Sequence, residues 1–152
     1  MKASEPCRVL VIDDDPNGAE ALAALLQAEG CHARVVLRPE QAVDEAIGFG
    51  PDVIFLDLLF GGTSAMTGLD VARALRAEPV LDGTLLVALS GLSADAQRDA
   101  CRDAGFDAHF PKPFEPSLVN ELVELAGRGE GFEGASPLLY CYALEPERRR
   151  AR

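Results

Sequence analysis

At 152 residues and 16.2 kDa, with 48% apolar residues, the chain has the length and hydrophobic content of one ordinary domain with a core of its own. Its formal net charge of -11 and pI near 4.5 argue against a phosphate-backbone partner, which demands clustered Lys and Arg, so no nucleic acid is expected to bind. The opening segment through Pro16 has no apolar run long enough for a secretory leader or a membrane span, which predicts a cytoplasmic protein without membrane insertion.

Strand-like and helix-like patterns alternate from residue 7 onward. "CRVLVI" reads as a strand, and "PNGAEALAALLQAEG" as a helix with Ala19, Leu22, Ala23 and Leu26 on one face and Gly30 as its left-handed stop. The cycle repeats in "HARVVL" with "PEQAVDEAIGFG", and in "DVIFLD" with "TGLDVARALRAE". It closes with "TLLVAL" and "SADAQRDACRDAG", then "DAHF" and "EPSLVNELVELA". Five strands alternating with five helices predict an α/β fold: a doubly wound parallel sheet, because right-handed crossovers place helices on both faces. After residue 126 the character changes. Glycines at 127, 129, 131 and 134 suggest a linker, "PLLYCYAL" is an apolar stretch free to pack on the domain or on a partner, and an arginine run ends the chain. The expected division is a domain over 1–126 and a linker with a short tail over 127–152.

Polar residues at the carboxyl ends of the predicted strands are the candidates for chemistry, because that edge of an open α/β sheet is where ligands bind. Strand one ends in Asp13 and Asp14, with Asp15 before Pro16 explained as a helix N-cap. Strand three ends in Asp57, strand four in Ser90, and Lys112 stands just beyond strand five, in front of Pro113. Carboxylates gathered in one place repel, and a hard divalent cation such as Mg²⁺ relieves them while bridging to a phosphoryl group. A hydroxyl and an ammonium beside such a centre suit a bound anion. Thr67 and Asp70 form a capping signal and need no chemistry. Cys7, Cys31, Cys101 and Cys141 show neither CxxC pairing nor metal-like spacing with His32 or His109, so they are read as reduced thiols. Cys7 and Cys31 open consecutive strands and are expected to be neighbours.

Taken in order, these positions resemble the receiver domain of the two-component response-regulator family. Its pattern is an acidic pair after strand one, Asp after strand three, Ser or Thr after strand four and Lys-Pro after strand five, matched here over roughly residues 7 to 126. The resemblance implies a flavodoxin-like receiver fold with strand order 2-1-3-4-5. It implies that Asp57 accepts a phosphoryl group from a sensor histidine kinase or a histidine phosphotransfer protein. Asp13, Asp14, Asp57 and the backbone carbonyl of Leu59 would hold Mg²⁺, one of the acidic pair through water. Lys112 would pair with the phosphoryl oxygens, and Ser90 would swing to hydrogen-bond them, rearranging the surface from helix four to strand five. The implied protein is a stand-alone signalling receiver that catalyses only its own phosphorylation and dephosphorylation and acts by protein contact.

The sequence departs from that pattern in three places. The stretch "LLFGGTSAMTG" after Asp57 lacks the usual proline and is slightly longer. His109 stands where the family carries a Tyr or Phe switch, which makes it a candidate switch residue. Leu59 and Leu92 replace polar side chains that orient a hydrolytic water, so a long-lived acyl phosphate is expected. The enzyme alternative is a Mg²⁺-dependent aspartate-nucleophile phosphohydrolase of the haloacid-dehalogenase type, disfavoured because Leu59 occupies the place of its acid/base Asp. A non-phosphorylated interaction module is the other alternative.

Overall fold

The computed structural model describes residues 6–58, 67–91 and 94–144, with backbone alone over 94–97. Five strands, β1 (Arg8–Ile12), β2 (His32–Val36), β3 (Val53–Asp57), β4 (Leu85–Ser90) and β5 (Ala108–Pro111), form one all-parallel sheet in the order β2-β1-β3-β4-β5. The helices between and after them are α1 (Pro16–Ala28), α2 (Ala42–Phe49), α3 (Gly68–Arg76), α4 (Ala94–Ala104) and α5 (Pro116–Gly127). A sixth, one-turn helix, α6 (Pro137–Tyr140), lies in the segment where the sequence pattern predicted none.

The central strands are buried on both faces, so they read as continuous apolar runs and their period-two alternation divides two cores. Val9, Val11, Phe55, Val87 and Phe110 face α1 and α5. Leu10, Ile12, Ile54, Leu56 and Leu86 meet Ala46, Val71, Leu75 and Cys101 of α2, α3 and α4. Local signals set the helix ends. The Asp15 side chain accepts a hydrogen bond from the Asn17 N–H with Pro16 at the first helical position, and Thr67 and Asp70 form a reciprocal capping box. Gly30 has φ of 90°, the left-handed stop the sequence predicts after α1.

The strand order reverses between β1 and β3, since the chain runs outward from β1 to β2 and then returns to build the other half. This topological switch point opens a crevice at the carboxyl ends of those two strands, where Asp13 and Asp57 emerge. The C-terminal apolar stretch packs on the domain itself. Phe132, Leu139, Ala143 and Leu144 are buried, and Ala143 forms an antiparallel bridge with Ala108 on the outer edge of β5. The four cysteines are free, with the Cys31 thiol hydrogen-bonded to Cys7 at the neighbouring starts of β2 and β1.

Candidate functional site

Asp57 is the last residue of β3, 7% exposed, and Asp13 follows the last residue of β1 at 4% exposed. The Asp13 backbone is tied to β2 by its N–H donating to Val36 O at 3.1 Å, and its Oδ1 accepts the Asp15 N–H at 2.9 Å. That leaves Oδ2 turned toward the crevice, 3.9 Å from Lys112 Nζ. The same ammonium donates to Asp57 Oδ2 at 2.7 Å. The Lys112 N–H donates to Ser90 O at 2.8 Å, so the end of β5 is tied to the end of β4 where the lysine enters the crevice; the Lys112–Pro113 bond is cis. Ser90 itself is fully buried.

Electrostatics sets the character of this group. The Asp13 carboxyl is pushed up to about 6 from an ordinary 3.8, chiefly by burial, against the opposing hydrogen bond from Asp15. The Asp57 charge raises it further and Lys112 lowers it, while a hydrogen bond shared with Asp57 adds to the rise. Two buried carboxylates around one ammonium leave an excess negative charge that a cation would offset.

Of the predicted site residues, the structure brings together Asp13, Asp57 and Lys112, with Ser90 beneath them. Asp14 is half-buried at the start of the β1–α1 connection. Among the described residues no group of three or more His, Cys, Asp or Glu side chains is placed to hold a metal ion, and the two carboxylates that lie together are Asp13 and Asp57. That pair fits Mg²⁺, which commonly takes one or two carboxylates and completes its shell with water and phosphate oxygens. Leu59, Leu92 and the "GGTSAM" stretch fall outside the described residues. His109 sits apart on β5, paired with Ala88 of β4, 2% exposed.

Sequence reasoning missed Gly68. A Cβ on this first residue of α3 would stand 2.7 Å from Leu58 Cα and 3.0 Å from Asp57 O, so glycine lets the helix start against the backbone that carries Asp57. Its signal was in "TG", a glycine directly after a capping threonine. Also unforeseen is a groove of about 530 Å³ between α1 and the β5–α5 connection. Ala21, Leu22, Leu25, Phe114 and Pro116 line it, and Asp13 and Lys112 stand among its walls.

Comparison with known proteins matches this arrangement. The family model described as the response regulator receiver domain matches residues 9–124. The chain belongs to that family. The DNA-binding response regulator MtrA of Mycolicibacterium smegmatis is 36% identical over 109 residues, which are 72% of this chain and 45% of that protein. The sensory transduction protein RegX3 of Mycobacterium tuberculosis is 41% identical over 69 residues, covering 45% of this chain and 29% of its own length. This receiver thus spans less than half the length of the curated relatives it matches. Among solved structures, the CheY-like receiver domain from Methylobacillus flagellatus superposes with a TM-score of 0.69 at 26% identity, over 80% of this chain and 99% of that one. The chemotaxis protein CheY4 of Vibrio cholerae, at 21% identity, shares the fold with a TM-score of 0.71 over 80% of this chain and 98% of its own. Receiver domains of this family are modules of two-component signal transduction. No helix among the described residues is long and apolar enough to cross a membrane.

Proposed function

We propose that this receiver accepts a phosphoryl group on Asp57 from a phosphohistidine of a sensor histidine kinase or phosphotransfer protein and signals by protein contact. The observation that carries the reading is the 2.7 Å contact between Lys112 Nζ and Asp57 Oδ2, with Asp13 completing the group at the switch point of the sheet. In the transfer, an Asp57 carboxylate oxygen forms the new O–P bond as the P–N bond of the donor breaks, and the electron pair leaves on the imidazole nitrogen. The product is an acyl phosphate. Lys112 already faces the attacking carboxylate, so it is positioned to shift its charge to the phosphoryl oxygens as they arrive.

Asp13, Asp14, Asp57 and the backbone carbonyl of Leu59 would hold Mg²⁺, one of the acidic pair through water. The ion supplies neutralisation of the charge carried by the incoming phosphoryl group. Ser90, buried at the end of β4, would hydrogen-bond the phosphoryl group, and His109 would follow as the switch residue on β5. The apolar groove beside Asp13 and Lys112 suits the side of a partner helix that delivers the phosphohistidine.

The test is intact mass after incubation with Mg²⁺ and a small acyl phosphate donor. Wild type should gain the mass of one phosphate and Asp57→Asn none. Equal labelling of both, or of neither, would overturn the assignment.

A further inference from the structure

The outer edge of β5 is closed by the chain's own C-terminal segment. Ala108 and Ala143 form an antiparallel bridge, His109 N–H donates to Tyr142 O at 3.1 Å, and Leu144 N–H donates to Asp107 O at 2.8 Å. The segment is anchored on both sides of the strand. Arg98 of α4 donates from Nη2 to Ala143 O at 2.8 Å, and Glu121 of α5 accepts the Ser136 N–H and hydroxyl at 2.6 and 2.7 Å. Between these anchors the Tyr142 ring meets Phe110 of β5 edge-on, with centroids 5.7 Å apart, and Leu139 is fully buried.

Every anchor belongs to an element that begins or ends at the phospho-acceptor crevice. β5 runs three residues from His109, whose amide holds the segment, to Lys112, whose ammonium holds Asp57. α4 is the next helix after Ser90, starting at Ala94, and α5 is the next after Lys112, starting at Pro116. The closed arrangement also leaves a demand unmet. Both ring nitrogens of buried His109 lack a hydrogen-bond partner among the described residues, so an arrangement of β5 that supplied one would compete with the present one. On the strand edge itself one bridge and two main-chain bonds hold the segment, so a shift of β5 acts on all of them at once.

We propose that residues 132–144 form a strap that covers the β5 edge and is released when Asp57 is phosphorylated, exposing that edge to a protein partner. The inference rests on the phospho-acceptor reading above. The strap itself shows the chemistry the partner must offer: a short main-chain stretch that bridges antiparallel to β5 and lays an aromatic ring on Phe110.

Hydrogen exchange of the full chain, read by mass spectrometry with and without Mg²⁺ and a small acyl phosphate donor, tests it, with intact mass recorded on the same samples. Phosphorylated wild type should exchange on the order of tenfold faster across 132–144 and at His109, and Asp57→Asn should not change. Tyr142→Ala, remote from Asp57, should show the faster exchange without the donor and still accept phosphate. Phosphate gained with strap protection unchanged overturns the release and leaves the acceptor reading standing. No phosphate gained overturns both. A Tyr142→Ala chain as protected as wild type shows that the strap does not close the edge.

Discussion

Burial holds the His109 imidazole below its ordinary pKa of 6.5, and the charge of Arg98 adds to the effect. The unfolded chain therefore takes up this proton more readily than the folded one. Stability from this group is complete above pH 6.5 and is lost progressively as pH falls through 6.5 toward the lowered folded value. Asp13 acts in the opposite direction. Its folded carboxyl is raised to about 6 from 3.8, so its contribution grows as pH falls through 6 toward 3.8. The two overlap, which makes a single pH curve uninformative and a difference between variants decisive. His109→Phe keeps a ring in the cavity and removes the proton; its stability advantage over wild type should widen from pH 8 to pH 5.5 in urea unfolding curves. A constant difference across that range would show that His109 does not titrate on unfolding. Arg76 and Asp107 form a largely buried ion pair that no sequence signal announced, with Arg76 also donating to Gly105 O and Leu81 O. The partners are 31 residues apart, and only the packing of α3 against α4 and the α4–β5 connection makes them neighbours.

Elements meet at glycine in two opposite ways. An exposed helical glycine costs backbone entropy, so replacing it by alanine ordinarily stabilises by about 0.5–1 kcal/mol. Gly48 in α2 is such a case, with nothing within 4 Å of the place a Cβ would take, and Gly48→Ala should raise the unfolding midpoint. Gly68 reverses the sign. Its added Cβ would press on Leu58 Cα and Asp57 O, so Gly68→Ala should destabilise by roughly 1–3 kcal/mol through displaced backbone. Because that backbone carries Asp57, phosphate labelling followed by intact mass should slow as well. Unchanged stability and labelling would mean that α3 moves aside freely. The capping box of Thr67 and Asp70 was readable four residues at a time, whereas the close approach of Gly68 to β3 was not, since it depends on where the helix lands.

At the scale of the whole molecule, the acidic crevice couples ligand binding to global stability. A ligand bound only by the folded state stabilises by RT ln(1 + [L]/Kd), about 1.4 kcal/mol at tenfold excess over Kd. For a chain of this length that corresponds to a rise of roughly 3–6 °C in Tm. Mg²⁺ should produce such a rise in wild type, and Asp13→Asn should lose most of it in calorimetric scans. An equal rise in both would place the ion elsewhere.

The amino-acid order alone specifies the succession of strands and helices, the residues at strand tips and the helix caps, because these follow from short-range periodicity and from hydrogen bonds within a few residues. It also placed Asp13, Asp57, Ser90 and Lys112 on one edge, since the direction of every strand in a parallel sheet is known once the alternation is known. Tertiary structure decided the rest. It set Asp13 beside Asp57, brought Lys112 within 2.7 Å of Asp57, and laid the C-terminal apolar stretch along β5. Those outcomes depend on side-chain directions and on contacts between segments dozens of residues apart, and neither leaves a local mark in the order of amino acids.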